Sequence, residues 1–461
     1  MASFFVFVSR PSCTLSHVFR LFCALLGLAG SVLSAASPST AASRPNIIYL
    51  LIDDLGPDWL GCYGSDFSTP NVDRLARMGT RFKTAWTSPI CTPSRVMMLT
   101  GQYPGRTGWT EHYDVPRWGG DGLIPEKFST WPQLLRRAGY ATALAGKWQI
   151  NDLRQRADIL SAHGFERHCV WPGVEEGNPP SVRRYWDAFL QTDGVRRVHT
   201  EEYGPDVTQR FALDFIRANQ SKPFLLYYAM ISVHAPNEPT PLNRAHPPRG
   251  EAALYAGSVT YMDHQVGELL DELERLGLAD NTVVVLMGDN GSSTGGTVHG
   301  QAVKPGKGKT WERGVHVPLI VHLPGVAGGV TPALADMTDL FPTMLELAGI
   351  PRPSGLDGHS WVPLLRKAAD APRRTWIFAQ RDDARTVRDQ RFKLDSDGRF
   401  YDIENDPDQS RALDPNETKE TAAAYRQLSA ALQAVPRTAA SPPFSGYSPE
   451  RMRSFERQKK Q

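Results

Sequence analysis

The sequence predicts an α/β fold in which a large mixed, mostly parallel sheet is flanked by helices. Continuous apolar runs, rather than alternating ones, are typical of strands buried on both faces of a parallel sheet. Such runs cover residues 46–52, 140–145, 224–231 and 282–287. Helical patterns lie between these runs, and helices that alternate with buried strands indicate a sheet covered on both of its faces.

Four segments have the apolar spacing of amphipathic helices: residues 71–78, 130–138, 206–218 and 252–276. Pro70 favours the start of the first helix, and Gly139 favours the end of the second. In the longest segment, Leu269, Leu273 and Leu276 recur at helical spacing on one face. Each of these segments therefore has an apolar side that can cover the sheet.

After residue 366 the sequence pattern changes from long apolar runs to short ones separated by polar turns. Residues 376–380, 391–394 and 399–403 read as short strands separated by polar turns, which predicts a small C-terminal antiparallel sheet. A helical segment at 418–435 follows, and a polar, basic tail begins at residue 436. We therefore expect a main domain at 44–366, a smaller α+β subdomain at 367–435 and a tail at 436–461.

The N-terminus has the layout of a secretory signal peptide. Arg10 and Arg20 precede an apolar stretch at 21–33, and small residues follow it. The prediction is a signal peptide at 1–36 and a spacer at 37–43, so the mature protein is expected to be secreted or periplasmic. The stretch is short for a spanning helix, and an uncleaved anchor is the alternative interpretation.

Composition narrows the classes of function. The 461 residues carry a formal net charge of +2, and this balance gives no reason to expect nucleic acid or an anionic membrane as a partner. Beyond the leader, the cysteines are Cys62, Cys91 and Cys169, and three cysteines at these spacings form neither a disulfide framework nor a zinc motif. Cys62 and Cys169 are able to pair, but buried free thiols are the expectation.

Polar residues end four of the predicted strands: Asp53 with Asp54, Lys147, His234, and Asp289 with Asn290. The carboxyl ends of parallel strands meet at one edge of a sheet, which is where such folds place their sites. The two pairs offer only oxygen ligands, and this set suits Ca²⁺ or Mg²⁺ better than zinc. The alternative is that both pairs are ordinary turn residues. Their position at two ends of the same sheet favours the metal site.

The segment Cys91-Thr-Pro-Ser-Arg95, followed by Leu-Thr-Gly101, resembles the segment by which type I sulfatases are known. The resemblance continues in the family's order through the strand-end residues, the stretch at 306–314 and the segment Phe400-Tyr-Asp-Ile-Glu-Asn-Asp-Pro407. It spans the chain from residue 46 to about residue 413. This resemblance implies an alkaline-phosphatase-like sandwich and the hydrolysis of sulfate esters.

In the family that the chain resembles, the motif cysteine is oxidised to formylglycine, whose hydrate is the nucleophile. The resemblance therefore implies a formylglycine-generating maturation enzyme as a partner, and a Ca²⁺ ion (or Mg²⁺) on Asp53, Asp54, Cys91 as formylglycine, Asp289 and Asn290. It implies that Arg95, Lys147 and Lys307 hold the diol and the sulfate, and that His234 or Lys307 protonates the leaving oxygen. The expected substrate is a sulfated small molecule or saccharide.

Gln149 departs from the family pattern, which has histidine after Gly-Lys-Trp. That histidine is thought to contact the diol and help to remove its proton, whereas glutamine hydrogen-bonds but does not titrate. Either another base serves, for which an aspartate at the metal is one choice, or turnover is impaired. Two other functions stay open at this point: a phosphodiesterase or phosphonate monoester hydrolase on the same scaffold, and a non-catalytic glycan-binding pseudosulfatase.

Overall fold

The computed structural model describes residues 44–437, and a mixed ten-stranded sheet forms the centre of the protein. The strands of this sheet lie in the order β12-β2-β11-β8-β1-β7-β3-β4-β5-β6. Their bounds are β1 Asn46–Ile52, β2 Thr80–Trp86, β3 Ala141–Lys147, β4 Arg167–Trp171, β5 Phe189–Thr192, β6 Val195–Val198, β7 Phe224–Met230, β8 Thr282–Gly288, β11 Leu319–His322 and β12 Gly329–Asp336.

Parallel pairing dominates the middle of the sheet. Strands β8, β1, β7, β3 and β4 are neighbours and run parallel, whereas β11, β5 and β6 pair antiparallel with their neighbours. All seven residues of β1, β3, β7 and β8 are buried, as continuous apolar runs predict for strands covered on both faces. The predicted mixed, mostly parallel sheet is confirmed.

Helices cover both faces of this sheet. They are α1 Pro70–Met78, α2 Cys91–Thr100, α3 Pro104–Thr107, α4 Val115–Trp118, α5 Trp131–Arg137, α6 Ile159–Ala162, α7 Gly204–Ala218, α8 Glu251–Arg275, α9 Glu312–Val315, α10 Leu340–Leu347, α11 Val362–Leu365 and α12 Lys419–Ala434. Short 3-10 helices lie at Pro57–Trp59, Gly61–Tyr63, Pro179–Val182, Ala279–Asn281 and Met337–Asp339.

The alternation of side chains along β1 separates two hydrophobic cores. Tyr49 and its neighbours two residues away pack with α2, α5 and α10, while Leu50 and its neighbours pack with α1, α7 and α8. Successive side chains of a strand point to opposite faces, so a strand buried throughout serves both cores. The result is the predicted sandwich of a sheet between two helical layers.

The C-terminal region forms a second, antiparallel sheet from four strands: β13 Ile377–Arg381, β14 Ala384–Arg388, β15 Phe392–Asp395 and β16 Phe400–Asp402. A further two-stranded pair joins β9 Thr297–Val298 to β10 Gln301–Ala302. Helix α12 packs on the four-stranded sheet, and Phe378, Val387 and Leu428 belong to the same hydrophobic core as α2 and α10. The small antiparallel sheet is therefore confirmed, with one strand more than the sequence predicted.

One predicted domain boundary falls among the described residues, whereas the predicted segments at the two termini lie largely outside them. The boundary between residues 366 and 367 falls between α11 and β13 and stays a prediction. The signal peptide at 1–36, the spacer at 37–43 and the tail from residue 438 onward lie outside the described residues. Within 44–437, each helix is too short or too polar to cross a bilayer. The described cysteines Cys62, Cys91 and Cys169 are free thiols, as expected.

Candidate active site

Four neighbouring strands bring the predicted site residues to one edge of the sheet. Asp53 and Asp54 follow β1, Asp289 and Asn290 follow β8, Lys147 ends β3, and His234 lies a few residues beyond β7. The backbone continues this pairing past the strands, because the N–H of Asp53 donates to Met230 O and that of Asp289 donates to Ile52 O. The sequence argument placed these side chains together, and the structure does so.

Asp53 and Asp289 share a completely buried network with two cations. Lys147 Nζ lies 2.7 Å from Asp53 Oδ2. Arg95 Nη2 donates to Asp289 Oδ2 at 2.9 Å and lies 3.6 Å from Asp53 Oδ1. Arg95 comes from helix α2 and is 1% exposed, so its charge is committed to these carboxylates. The helix that begins at Cys91 is thereby tied to the strand ends.

Asp54 connects the carboxylate cluster to Lys307. The backbone of Asp54 is left-handed, with φ of 64°, and its N–H donates to Asp289 Oδ1 at 3.0 Å. Its carboxylate accepts Lys307 Nζ at 2.6 Å and the Asn290 side-chain amide at 2.9 Å. A left-handed non-glycine residue is uncommon and costs energy, which the surrounding hydrogen bonds offset here.

Burial and charge act in opposite directions on the carboxylates. Burial raises the pKa of Asp53, but the charges of Lys147 and Arg95 outweigh burial and hold this pKa well below its ordinary value. Burial, and then the adjacent Asp53 carboxylate, raise the pKa of Asp289 well above its ordinary value. The cations nearby thus stabilise the charge of Asp53, whereas Asp289 is disfavoured as a second buried anion beside it, and a bound cation would stabilise both charges.

The donor set fits a hard divalent cation. Among the described residues, neither Asp53 Oδ1 nor Asn290 Oδ1 has a hydrogen-bond partner, although both atoms are buried. Ligand atoms of Asp53, Asp54 and His234 lie within 4.8 Å of one another. A buried oxygen without a partner costs free energy that coordination to a metal removes. Carboxylate and amide oxygens are the ligands that Ca²⁺ and Mg²⁺ prefer.

Cys91 stands at the first turn of helix α2 and is 1% exposed. Its Sγ lies 3.6 Å from His112 Nδ1 and 3.9 Å from Gln149 Oε1. The amino end of a helix favours negative charge, because its first backbone N–H groups point outward. Position 91 is thus surrounded by groups that stabilise an anion or hydrogen-bond a hydroxyl.

Gln149 and Lys147 are held by an unusually close approach of two strands. Gly146 has φ of 97°, and a Cβ at this position would lie 1.9 Å from Ala229 O of the neighbouring strand. Only glycine fits this contact. Gln149 also has a left-handed backbone, with φ of 66°, and is 5% exposed. The glutamine side chain is therefore fixed inside the site beside Cys91.

His234 and Lys307 contact each other on another side of the site. Lys307 Nζ lies 3.4 Å from His234 Nε2, and His234 Nδ1 lies 2.7 Å from Ala235 O. Burial lowers the pKa of His234 well below its ordinary value. Burial also lowers the pKa of Lys307, but the Asp54 carboxylate outweighs burial, so the net shift is upward. This balance keeps a positive charge on Lys307 next to a neutral imidazole.

Glycine-rich packing brings the loop of Lys307 to the site. The N–H of Lys307 donates to Ser292 O at 3.1 Å, and that of Gly308 donates to Pro89 O at 2.7 Å. Gly291 has no room for a side chain, since a Cβ there would lie 1.9 Å from Arg313 O. The loop at 306–314 is thus fastened both to the residues that follow Asn290 and to those that precede Cys91.

Three residues of the site were missed by the sequence analysis: Glu111, His112 and Arg381. His112 contacts Cys91, and its backbone N–H donates to Glu111 Oε1 at 2.7 Å. Arg381, from β13 of the C-terminal sheet, donates to both Glu111 oxygens at 3.0 and 2.9 Å and to Gly308 O at 2.5 Å. Nothing in the local sequence signals the contacts with Cys91 and Arg381, because these join segments distant along the chain.

These features define a hydrolase with a buried, cation-rich site for an oxyanion ester. A family model described as "Sulfatase" matches residues 45–350, and one described as "N-sulphoglucosamine sulphohydrolase, C-terminal" matches residues 306–437. The chain belongs to the sulfatase family and is a sulfuric ester hydrolase.

Individual relatives agree with this assignment. Arylsulfatase A of Homo sapiens is 33% identical over 380 residues, which cover 77% of this chain and 74% of that protein. N-acetylgalactosamine-6-sulfatase of Canis lupus familiaris is 32% identical over 366 residues, covering 72% and 69% respectively. The crystal structure of Ps i-CgsB in complex with k-i-k-neocarrahexaose superimposes with a TM-score of 0.75 at 25% identity, covering 90% of this chain and 98% of that one.

We expect the substitution Arg381→Ala to lower kcat about tenfold with little change in KM. Arg381 holds the Glu111 carboxylate against the loop of Lys307, and a charge-assisted hydrogen bond contributes about 1.5 kcal/mol or more. Steady-state kinetics on a chromogenic sulfate ester checks this. Arg399→Ala is the matched control, because Arg399 is an exposed arginine near the same small sheet. Equal losses in both variants would contradict a specific role for Arg381.

Proposed function

We propose that this chain hydrolyses sulfate esters of sulfated saccharides, with formylglycine made from Cys91 as the source of the nucleophile. The observation that supports this most directly is the setting of Cys91. It lies at the start of α2, beside Gln149 and His112, and its helix carries Arg95 into the carboxylate cluster. A maturation enzyme that oxidises the cysteine is the implied partner. A hydrated aldehyde has the two hydroxyl groups that attack and later release require.

Asp53, Asp54, position 91, Asp289 and Asn290 would hold a Ca²⁺ ion, with Mg²⁺ as the alternative. Once bound, such an ion would draw charge from the sulfate oxygens and lower the pKa of a hydroxyl at position 91. The unpartnered oxygens of Asp53 and Asn290 support this ligand set. We infer Ca²⁺ in preference to Mg²⁺ from the number of protein ligands, because Mg²⁺ usually keeps several waters and binds only one or two carboxylates, and metal analysis of the purified protein distinguishes them.

The cations of the chain itself would bind and orient the sulfate. Lys147 and Arg95 are buried and anchored on Asp53 and Asp289, so they are preorganised for an anion without further rearrangement. Lys307 is the side chain that we assign to the leaving oxygen, because its ammonium group is held between Asp54 and His234. His234 Nε2 is 3.4 Å from that ammonium and is placed to exchange the proton.

Two relatives support a saccharide as the substrate. One is named N-acetylgalactosamine-6-sulfatase, and one structural neighbour was solved with k-i-k-neocarrahexaose. With the predicted signal peptide, an exported enzyme that acts on sulfated saccharides outside the cytoplasm is the consistent proposal. An assay on a panel of sulfated oligosaccharides, in which the release of inorganic sulfate is measured, tests this proposal. Matched phosphate esters serve as the control. If the enzyme cleaved small aryl sulfates but none of the sulfated saccharides, the proposed substrate class would be wrong.

A further inference from the structure

The family that the chain resembles has a histidine after Gly-Lys-Trp, but this chain has Gln149 there and a different histidine, His112, beside position 91. Gln149 occupies the position after Gly-Lys-Trp, and its Oε1 lies 3.9 Å from Cys91 Sγ. On the same sulfur, His112 Nδ1 makes a closer approach, at 3.6 Å. We propose that His112 is a catalytic residue of this chain and that its imidazole hydrogen-bonds the reactive side chain at position 91. This inference rests on the proposed nucleophile but not on the identity of the saccharide.

The segment that carries His112 is attached to the helix of Cys91 on both sides. Thr92 Oγ1 accepts the N–H of Tyr113 at 3.0 Å and donates to Glu111 O at 3.3 Å. Thr92 directly follows Cys91, so a single hydroxyl brackets His112 and sets its distance from position 91. A packing histidine would not require its two backbone neighbours to be held by the residue next to the nucleophile.

The imidazole ring is also fixed in orientation. The His112 and Trp118 rings pack in a T-shaped arrangement, with a centroid distance of 5.4 Å and an interplanar angle of 86°. The backbone N–H of His112 donates to the Glu111 carboxylate, which Arg381 holds through two hydrogen bonds, so the backbone that carries the ring is held as well. Nδ1 is thus presented to position 91 by a rigid shell, as an effective hydrogen-bonding group in a site requires.

Other groups at the site are committed elsewhere. Both ring nitrogens of His234 have neighbours, Ala235 O at Nδ1 and Lys307 at Nε2. Lys147 is paired with Asp53, and Arg95 with Asp289, so these two cations are held by carboxylates. Gln149 Oε1 lies farther from Cys91 Sγ than His112 Nδ1 does, at 3.9 Å against 3.6 Å. His112 is the imidazole that the described part of the chain places against Cys91 Sγ.

The test uses His112→Phe, which keeps an aromatic ring beside Trp118 but removes the nitrogen that contacts position 91. With 4-nitrophenyl sulfate as the probe, we expect kcat per formylglycine to fall about 100-fold or more, while KM changes less than about threefold. Introducing Gln149→His into this variant should restore kcat at least about tenfold, because it returns an imidazole to position 91 from the other side. His168→Gln is the control, since His168 is a histidine of β4 that bonds Gln191 away from Cys91.

A second readout does not depend on turnover. In a Cys91→Ser background, His112→Phe should leave the affinity for 4-nitrophenyl sulfate, measured by calorimetry, unchanged within about threefold. A kcat within threefold of the parent would overturn the proposal, as would lost affinity combined with no rescue by Gln149→His, which marks a structural role. Mass spectrometry of position 91 separates the two proposals. If active parent enzyme carried only cysteine, the formylglycine proposal would fail, and the variant series would still decide whether His112 acts.

Discussion

Replacing Cys91 with serine is expected to lower kcat by at least about 10⁴-fold while the protein stays folded. Serine occupies nearly the same volume in a site where residue 91 is 1% exposed, so packing is preserved. It offers one hydroxyl instead of the two of a hydrated aldehyde, and a single hydroxyl cannot release sulfate by reforming a carbonyl. Steady-state kinetics, together with circular dichroism, checks both parts of the expectation.

Cys169→Ser is the matched control for this experiment. Cys169 is also a buried free thiol, but it lies on β4 and is contacted by the Thr192 hydroxyl rather than by site residues. We expect Cys169→Ser to keep kcat within about threefold, since no group that touches the substrate changes. Mass spectrometry of the tryptic peptide ending at Arg95 should detect formylglycine in the parent and in Cys169→Ser, but not in Cys91→Ser. Full activity in Cys91→Ser enzyme would refute the proposed nucleophile.

The sequence predicts the central strands and their polar ends well, because both signals are local. A strand buried on two faces must be apolar throughout, and β1, β3, β7 and β8 begin and end within two residues of the predicted limits. Parallel neighbours then bring their carboxyl ends to one edge without any further information. The positions of Asp53, Lys147 and Asp289 follow from this geometry.

Elements without a regular apolar pattern escaped prediction. The strand β6 consists of Val-Arg-Arg-Val and is largely exposed, so it has neither a continuous nor an alternating signal. Helix α2 is the opposite case, since all ten of its residues are buried and no polar face marks its period. Its first turn contains Thr92, Pro93 and Ser94, which are also common in loops. The helix that carries Cys91 and Arg95 was therefore not predicted from the sequence.

The parts of the site that depend on tertiary contacts were not predictable from one sequence. His112 reaches Cys91 because Thr92 holds its neighbours, and Arg381 reaches Gly308 because the C-terminal sheet shares a hydrophobic core with α2 and α10. Neither residue lies in a motif or at a strand end of the main sheet. Motif order identified the residues that match the family's motifs, whereas His112 and Arg381 emerged only from distances.

Removing a bound divalent cation is expected to abolish activity and to lower stability. Asp53, Asp54 and Asp289 are each 0% exposed, and Asp53 Oδ1 has no hydrogen-bond partner within the described range 44–437. Saturation with Ca²⁺ at about 100 times Kd should raise the free energy of unfolding by about 2.7 kcal/mol relative to chelated protein. Thermal unfolding with a chelator, with Ca²⁺ and with Mg²⁺ measures this difference and ranks the two ions.

The substitution Asp53→Asn should remove that response and lower kcat by about 10³-fold or more, because it takes one anionic ligand from the ion and leaves Lys147 without its partner. Asp263→Asn is the matched control. Asp263 is a buried carboxylate that accepts the N–H groups of Asn71 and Val72, so its loss should lower Tm while the shift produced by Ca²⁺ persists. If chelator and Ca²⁺ gave the parent enzyme the same Tm and the same kcat, these carboxylates would hold no catalytic metal, and their burial would have to be explained by the cations of the chain alone.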